Sequence, residues 1–483
     1  MTPSNDNRTR WLALITLCLG DLMIVLDTTI VNVALPSIRT DLGFSETSLV
    51  WVVNAYMIPF AGCLLLGGRL GDLYGHRRLF LIGIVLFALA SLGCGLAQGQ
   101  AMLIAARAVQ GLGGAVVSAV ALSLIMDLFT EPEERAKAMG VFGFVMASGG
   151  SIGVLLGGVL TNLLSWHWIF LVNLPIGAVV FALCLALLPV DRSDARATHL
   201  DVGGAASVTL SLMLAVYAIV NGNEAGWLAP QTTGLLAAAA ILFAAFLVIE
   251  ARVGAPLVPL RIFRLRNLAT SNVIGVLWAA AMFAWFFISA LYMQVVLGYN
   301  PLQVGLAFLP ANLIMAAFSL GLSAKLVMRF GNKPPIAVGM LLVSLGLALF
   351  AFSPQDGNFL VHVLPGMLLL GLGAGMALNP VLLAAMGDMA PNESGLASGV
   401  VNTAFMMGGA LGLAILASLA GARTEALLHA GAPQAAALTG GYHLAFAIGA
   451  GFALTAALAA LRLRASSAPA ADTARDAVAE EAT

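Results

Sequence analysis

The stretch "GGRLGDLYGHRRLF", Gly67 to Phe80, concentrates charges in a chain of which only 9% is charged. Its ionisable side chains are Arg69, Asp72, His76, Arg77 and Arg78. A long apolar run precedes it and another follows. A short charged segment between two such runs is typical of a loop that joins two membrane-spanning helices.

The composition of the whole chain points the same way. Of the 483 residues, 60% are apolar, whereas about 25% of the residues of a soluble protein are charged. The 22 basic and 23 acidic residues leave no basic field, which excludes nucleic acid as a partner. The four cysteines are far apart and form no C-x-x-C pair, so neither a disulfide framework nor a metal site is predicted. The sequence predicts an all-α integral membrane protein.

A membrane helix needs about 20 apolar residues, and fourteen runs of this kind are present. They start near residues 11, 49, 79, 102, 138, 167, 202, 233, 269, 302, 335, 361, 394 and 441. Short cytoplasmic loops collect Lys and Arg, and a cytoplasmic N-terminus places nineteen of the 22 on that side. Only Arg39 and Arg423 fall on the opposite side, and Arg107 falls within a run. We therefore expect both termini in the cytoplasm.

Two polar, basic stretches divide the apolar runs into groups of six, two and six. A degenerate repeat supports this division, since "GRLGDLYGHRR" from Gly68 has the same pattern as "GLSAKLVMRFGNK" from Gly321. The Ala-rich polar end of the chain is typical of disorder. The predicted units are a six-helix bundle over 1–189, a two-helix insertion over 190–260, a second six-helix bundle over 261–464 and a disordered cytoplasmic tail over 465–483.

Several motifs resemble those of the major facilitator superfamily. "GRLGDLYGHRR" is similar to the loop between its second and third helices, and "LDTTIVNVALP" from Leu26 resembles the first-helix signature of its fourteen-helix drug:proton antiporters. "RAVQGLGGA" from Arg107 and "WHWIFLVNLPIG" from Trp166 resemble the fourth-helix and sixth-helix motifs. The resemblance implies two six-helix bundles and two inserted helices, fourteen in all, which rock about a central cavity in the inner membrane of a bacterium.

The charged loop has a predicted mechanical role. Glycines at its two ends allow close backbone approach, and its aspartate can cap a helix or pair with an arginine of the facing bundle. In the family an acid at the end of the fourth helix joins this network. We expect a conformational latch, and the alternative is that the arginines only fix the topology. The predicted members are Gly68, Asp72, Gly75, Arg77, Arg78 and Asp127.

Three ionisable residues lie within predicted membrane helices, and we expect them to act in proton coupling or gating: Asp21, Asp27 and Arg107. A charged side chain at the bilayer centre costs about 2.5–3.5 kcal/mol. Arg107 cannot lose its charge and needs a partner, so protonation of a nearby acid would alter that pairing. Asp27 belongs to the family signature and Asp21 does not. The alternatives are a structural hydrogen bond for Asp27, a solvated vestibule for Asp21 and adhesion between helices for Arg107.

The stretch "GGSIGVLLGG" resembles the fifth-helix antiporter motif of the family, which is carried here by Gly149, Gly153, Gly157 and Gly158. Val154 stands where the family usually has proline, so the usual helix bend is in doubt. The glycines predict a tightly packed contact between helices.

The predicted ninth helix is rich in aromatic residues. Such a stripe lines an apolar cavity for a large ligand, or it packs against neighbours and lipid. The candidate cavity-lining residues are Asn32, Gln110, Trp278, Phe283, Trp285, Phe286, Tyr292 and Asn402.

The predicted function is a proton-coupled antiporter, acting as a monomer without a cofactor, that exports amphipathic toxic compounds by alternating access. An exporter of one endogenous metabolite or antibiotic is the alternative within the transporter class. A non-transporting membrane sensor or scaffold is the alternative outside it, although the short loops offer little partner surface. An enzyme is not predicted, because no polar residues converge at a recognisable catalytic spacing.

Overall fold

The computed structural model describes residues 3–129, 131–188, 201–254, 256–387 and 394–464. The regular secondary structure of this part of the chain is entirely helical, which confirms the predicted all-α class. The predicted tail over 465–483 lies outside the described residues, as does most of the stretch that leads into the two inserted helices.

The first half of the chain forms α1 (Pro3–Leu42), α2 (Val50–Tyr74), α3 (His76–Gly95), α4 (Gln100–Leu128), α5 (Pro132–Leu163), α6 (Trp168–Leu171) and α7 (Asn173–Leu187). A pair of helices follows, α8 (Val202–Ala225) and α9 (Pro230–Arg252). The second half forms α10 (Arg266–Leu291), α11 (Pro301–Ala317), α12 (Ser323–Phe330), α13 (Lys333–Phe350), α14 (Leu364–Met386), α15 (Ser394–His429) and α16 (Gln434–Ala460). A 3-10 turn precedes α10, and single π-helical turns follow α10 and α11 and precede α14.

Twelve helical segments of the described residues are long and apolar enough to cross a bilayer. The two other predicted spans coincide with shorter apolar helices, Ile152–Leu163 and Pro301–Ala317. The second of these stops at a π-helical turn that contains Gly321 at a φ of 134°. The structure therefore supports twelve spans, and the total of fourteen remains a prediction.

The packing partners of the helices repeat between the two halves. In the first half, α4 packs against α2 and α3, while α1 packs against α5 and α7. In the second half, α14 packs against α11 and α13, while α10 packs against α15 and α16. Each half thus encloses its own buried side chains with the same arrangement of helices.

Two helix pairs join the halves, α5 with α11 and α2 with α15. Glycines allow the first pair to approach closely. A Cβ atom on Gly158 would lie 2.7 Å from the carbonyl oxygen of Pro301, and one on Gly305 would lie 3.0 Å from that of Val154. The backbones therefore meet directly where the halves touch.

The inserted helix α8 packs against both α2 and α15, so it covers one of these contacts between the halves. Asn223 on α8 donates to the carbonyl oxygen of Ser418 on α15 at 2.7 Å, and the Ser418 hydroxyl donates to the carbonyl oxygen of Ile219 at 3.0 Å. Helix α9 packs on α8, and only 17% of its apolar stretch is buried.

Candidate functional site

Asp27 on α1 and Arg107 on α4 form an ion pair inside the first half. Their side chains are 0% and 1% exposed, respectively, and Arg107 Nη1 donates to Asp27 Oδ2. Arg107 Nε also donates to the carbonyl oxygen of Val52 on α2 at 2.9 Å. Removing one partner of a buried ion pair leaves an uncompensated charge. Asp27 is thus the partner that the sequence analysis required for Arg107.

The polar contacts described for the Asp27 carboxylate are all with donors. Its Oδ1 accepts from Gln110 Nε2 at 2.8 Å and from Asn173 Nδ2 at 3.2 Å, while Oδ2 accepts from Arg107. Both amides also donate to Ser91 Oγ, at 2.7 Å and 2.9 Å. An ionised carboxylate only accepts hydrogen bonds, whereas a protonated one also donates. These five side chains, called the Asp27 cluster below, therefore match the charged form of Asp27.

Aromatic rings enclose the cationic side of the cluster. The Arg107 guanidinium carbon lies 4.5 Å from the ring centroid of Tyr56 on α2 and 5.6 Å from that of Phe170 on α6. Both distances are within the range of a cation–π contact. Arg107 Nη1 also donates to Gln110 Oε1 at 2.8 Å. A shift of the guanidinium would therefore change contacts with α1, α2 and α6, and within α4, at the same time.

Asp21 lies apart from this cluster, although it belongs to the same helix. Its residue is 1% exposed, and its Oδ1 accepts from Ser118 Oγ on α4 at 2.6 Å. Its Oδ2 is buried without a hydrogen-bond partner. The alternative of a solvated vestibule is therefore wrong for the conformation described.

Some of the predicted latch residues lie close together, and their action as a latch remains a prediction. Gly75, at a φ of 92°, is the single residue between α2 and α3, as a tight turn requires. A Cβ atom on Gly68 would meet nothing within 4 Å, so the close approach expected at this glycine is wrong. Asp127 pairs with His76, whose Nδ1 lies 3.1 Å from Asp127 Oδ2.

The two arginines of the loop lie along α3. Arg77 donates to the carbonyl oxygen of Leu185 on α7 at 2.9 Å. Arg77 and Arg78 border an apolar groove of about 830 Å³ between α3 and α7. The Asp72 side chain lies outside the described residues, so its contact with the facing bundle remains a prediction.

The glycines of the fifth-helix motif form the expected close contact. Cβ atoms on Gly149, Gly153 and Gly157 would each approach α1 within about 3 Å, whereas one on Gly158 would approach α11. Helix α5 continues through Val154, which is fully buried. One face of α5 therefore packs on α1 and an adjacent position packs on the other half.

The candidate cavity-lining residues separate into three groups by their exposure. Gln110, Trp285 and Tyr292 are fully buried, Gln110 within the Asp27 cluster and Trp285 against Phe286 and Phe308, so these three do not line an open cavity in this conformation. Trp278 and Asn32 are at most 5% exposed. Phe283 and Phe286 are half-buried and Asn402 is exposed, which leaves these three accessible.

A polar contact also joins the halves near the end of α1. Arg39 Nη1 pairs with Glu46 Oε1 at 2.9 Å, and the Tyr442 hydroxyl of α16 donates to the same oxygen at 3.4 Å. Gln294, in the π-helical turn that follows α10, donates to the carbonyl oxygen of Val33 on α1 at 2.9 Å. Burial raises the pKa of the Glu46 carboxyl, and Arg39 and Tyr442 oppose this shift only in part. These contacts hold the two halves together at this end of the molecule.

Sequence reasoning did not identify Ser91, Asn173, Ser118 or His76 as site residues. Asn173 lay within a quoted motif, and a buried amide flanked by apolar residues is a signal that could have identified it. Serine is common in membrane helices, so Ser91 and Ser118 carry little signal of their own.

The fold has many membrane spans and two halves with the same helix packing, and one half holds a buried ion pair. These features are those of a polytopic membrane protein of the solute-carrier type. The sequence matches the model of the Major Facilitator Superfamily over residues 17–413. The chain belongs to this superfamily. It is a multi-pass membrane transporter and not an enzyme.

Several relatives of known name indicate which kind of transporter within the superfamily this chain resembles. "Puromycin resistance protein pur8" of Streptomyces alboniger is 40% identical over 458 residues, which cover 93% of this chain and 90% of the relative. "Cephamycin export protein CmcT" of Amycolatopsis lactamdurans is 39% identical, covering 86% and 85%. "Multidrug resistance protein Stp" of Mycobacterium tuberculosis is 37% identical, covering 87% and 78%. The resemblance to drug-exporting members of the superfamily is thus confirmed.

A solved structure titled as an auto inhibited POT family peptide transporter has a similar fold. The TM-score is 0.64 over 96% of this chain and 99% of that chain, at 17% sequence identity. At this identity the likeness concerns the fold alone.

Proposed function

We propose that this protein is a proton-coupled antiporter that exports amphipathic toxic compounds from the bacterial cytoplasm by alternating access. In this proposal it acts as a monomer with fourteen spans, two six-helix bundles and both termini in the cytoplasm. The Asp27 cluster is the observation that supports coupling to protons most directly.

The coupling argument follows from the donors around Asp27. A proton on Oδ2 would face the Arg107 guanidinium, and a proton on Oδ1 would face the amides of Gln110 and Asn173. Because two donors repel one another, protonation must break at least one of these contacts. It would also leave the Arg107 charge uncompensated in a buried site, which costs several kcal/mol. Proton binding therefore favours a different packing of α1 against α4.

Such a change can reach the contact between the halves through α1 itself. Helix α1 packs along the glycine face of α5, and α5 touches α11 of the other half. A shift of α1 would therefore alter the contact on which rocking of the halves depends. Bistable packing of this kind turns a local event into a global one.

The substrate class is inferred from the relatives. Their names concern puromycin, cephamycin and multiple drugs, so both a broad and a narrow substrate range are represented. We propose the broad range, with amphipathic cations and neutral compounds as substrates. Export of a single antibiotic is the second candidate, and the first two of these relatives favour it.

Everted membrane vesicles energised to an acidic interior test the proposal. Puromycin, tetraphenylphosphonium and a neutral lipophilic antibiotic are added separately, and the proton gradient is followed with a fluorescent amine. We expect at least one compound to dissipate the gradient with wild type, and Asp27→Asn to abolish this effect. Asp41→Asn is the matched control, because Asp41 is an exposed acid of the same helix whose bond to Trp166 an asparagine oxygen can keep.

If well-expressed wild type moves no protons with any compound, proton-coupled drug export is refuted. If a single compound is active, the narrow exporter replaces the broad one. Unchanged proton movement in Asp27→Asn would remove the Asp27 cluster from the coupling mechanism.

A further inference from the structure

We propose that Asp21 is a second proton-binding site, and that the Tyr56 hydroxyl links it to the Asp27 cluster. This inference rests on the proposed proton antiport and extends it. Asp21 precedes Asp27 by six residues, so the two carboxyl groups lie about 9 Å apart along α1. With a cytoplasmic N-terminus, Asp21 is the acid nearer the cytoplasm.

The two aspartates have opposite surroundings. Asp27 is held by a cation and two amides, which stabilise its charge. Asp21 receives one hydrogen bond, from Ser118, and none of the ion pairs found among the described residues includes it. A buried charge without a counter-ion costs far more free energy than a buried neutral carboxyl group. Acids in such different environments take different roles in proton transfer.

The Tyr56 hydroxyl lies beside the face of α4 that carries Gly114 and Ser118. It is fully buried and has no hydrogen-bond partner, and its ring stacks on the Arg107 guanidinium. A Cβ atom on Gly114 would lie 2.7 Å from this hydroxyl. Gly114 and Ser118 are four residues apart on α4, so they are neighbours on one face of the helix.

Two unpartnered polar groups therefore lie over adjacent turns of α4: the Tyr56 hydroxyl beside Gly114 and Asp21 Oδ2 beside Ser118. Buried polar groups in native proteins almost always have a partner. A hydrogen bond between these two, direct or through one water molecule, would satisfy both. The ring that carries this hydroxyl lies against Arg107, the cation that pairs with Asp27, so Tyr56 borders the Asp27 cluster as well.

Besides Ser118, the described neighbours of Asp21 include two titratable side chains. Cys18 on α1 is its titratable neighbour on the same helix, and Tyr56 is the one on α2. Helix α5 faces this part of α1 with Gly149, which approaches Leu22 and Val25. Gly20, next to Asp21, faces the ring of Phe80 on α3, and Met23 faces α7 at Gly177.

The proton balance is simple. In the conformation open to the cytoplasm, Asp21 releases its proton to water on that side. The Tyr56 hydroxyl then gives its proton to Asp21 and takes up the one that Asp27 has carried from outside. Asp27 returns to its charged form and pairs with Arg107 again. One proton crosses, only O–H bonds break and form, and each group ends as it began.

Infrared difference spectroscopy of the reconstituted protein, between acidic and alkaline pH, tests the inference directly. A protonated carboxyl group has its own carbonyl band. We expect the carboxyl bands of wild type to include one that Asp21→Asn removes and one that Asp27→Asn removes, beside bands from the other buried acids, Asp201 and Glu250. Ser118→Ala should shift the Asp21 band and leave the Asp27 band in place, because it removes only the bond to Asp21.

Transport in the same proteoliposomes supplies the second readout. We expect Asp21→Asn and Tyr56→Phe each to lower substrate-driven proton flux on the order of 100-fold, the low end of what a positioned proton-transfer group contributes. Tyr56→Phe keeps the ring against Arg107, so it isolates the hydroxyl. Asp41→Asn is the control for loss of a carboxyl group on α1.

The outcomes separate the two proposals. If wild type couples substrate to protons and Asp21→Asn keeps both infrared bands and full proton flux, Asp21 is not a proton site and only this inference fails. If Asp21→Asn removes a band but Tyr56→Phe transports normally, the relay through the hydroxyl is refuted. If wild type moves no protons with substrate, the proposed antiport itself fails. Loss of a band in Asp21→Asn would then show only that Asp21 is a buried acid that takes no part in transport.

Discussion

Asp27→Asn should destabilise the protein strongly, although it changes one atom of the side chain. The Asp27 carboxylate contacts donors on both oxygens. In one orientation the new amide group faces Arg107 Nη1, and in the other it faces Gln110 Nε2 and Asn173 Nδ2. Either way a donor meets a donor, and the Arg107 charge has no counter-ion. We expect a loss of about 3–5 kcal/mol for this variant.

A double-mutant cycle separates the ion pair from other effects. Arg107→Gln alone leaves Asp27 uncompensated and should cost a similar ~3–5 kcal/mol. The double variant carries no buried charge, so its cost falls to about 1–3 kcal/mol for imperfectly paired amides. If the two sites were independent, the costs of the single variants would add, and the double variant would lose about 6–10 kcal/mol. The expected coupling is therefore at least about 3 kcal/mol.

Thiol labelling during thermal unfolding is a suitable assay, because Cys18, Cys94 and Cys184 are buried and react only when the fold opens. Cys63 is half-buried and sets the background. We expect the double variant to melt above both single variants and still to show no substrate-driven proton flux. Melting of the double variant below both, by the sum of their shifts, would refute the ion-pair argument.

Three further perturbations test other parts of the molecule. Arg107→Lys should leave a folded protein with reduced substrate-driven proton flux, since lysine keeps the charge but loses the guanidinium geometry; wild-type flux would show that charge alone suffices. Gly158→Ala should weaken closure between α5 and α11 by about 1–3 kcal/mol. Labelling of Thr47→Cys measures this, because Thr47 precedes α2 and lies against Gly421 of α15. Gly150→Ala, whose Cβ would meet nothing within 4 Å, is its control and should not increase labelling. Closure of the end that contains Glu46 should strengthen as the pH falls there: burial raises the pKa of this acid, so closure takes up a proton. The stabilisation of the closed end is complete below about pH 4.5, the usual pKa of a glutamate. It is lost as the pH rises through the raised pKa that Glu46 has in the closed conformation. Glu46→Gln should flatten this dependence in the same labelling assay, and an unchanged slope would assign it to another group.

The fold was largely predictable, because a membrane helix is specified by its own length and hydropathy. The uncertain places have local causes. In the second half, α11 is cut short by the π-helical turn at Gly321, a backbone feature that hydropathy does not register. In the first half, α5 begins with a charged stretch before its apolar part. The helices were thus predictable and the exact number of spans was not.

The candidate site was predictable only one residue at a time. Asp27 and Arg107 were conspicuous because charges are rare in membrane helices, but their pairing depends on how α1 and α4 are rotated against each other. Gln110 was assigned to a cavity, and the structure places it in the Asp27 cluster because it lies one helical turn after Arg107, on the same face of α4. Ser91 and Tyr56 are residue types that are common in membrane helices, so the sequence did not single them out.

The rarity of a charged residue in a membrane helix marks it as a candidate site residue, but only the structure shows which partner it has. Asp21 and Asp27 are equally unusual in sequence, and six residues on a helix turn them to faces about 120° apart. That rotation directs Asp27 to a guanidinium and two amides, and Asp21 to a single hydroxyl. One acid is thereby paired with a cation and the other is left without a counter-ion. In the proposed relay a proton passes from Asp27, where it must break contacts, to Asp21, where it removes a buried charge; this difference favours that step, while the proton gradient sets the net direction of transport.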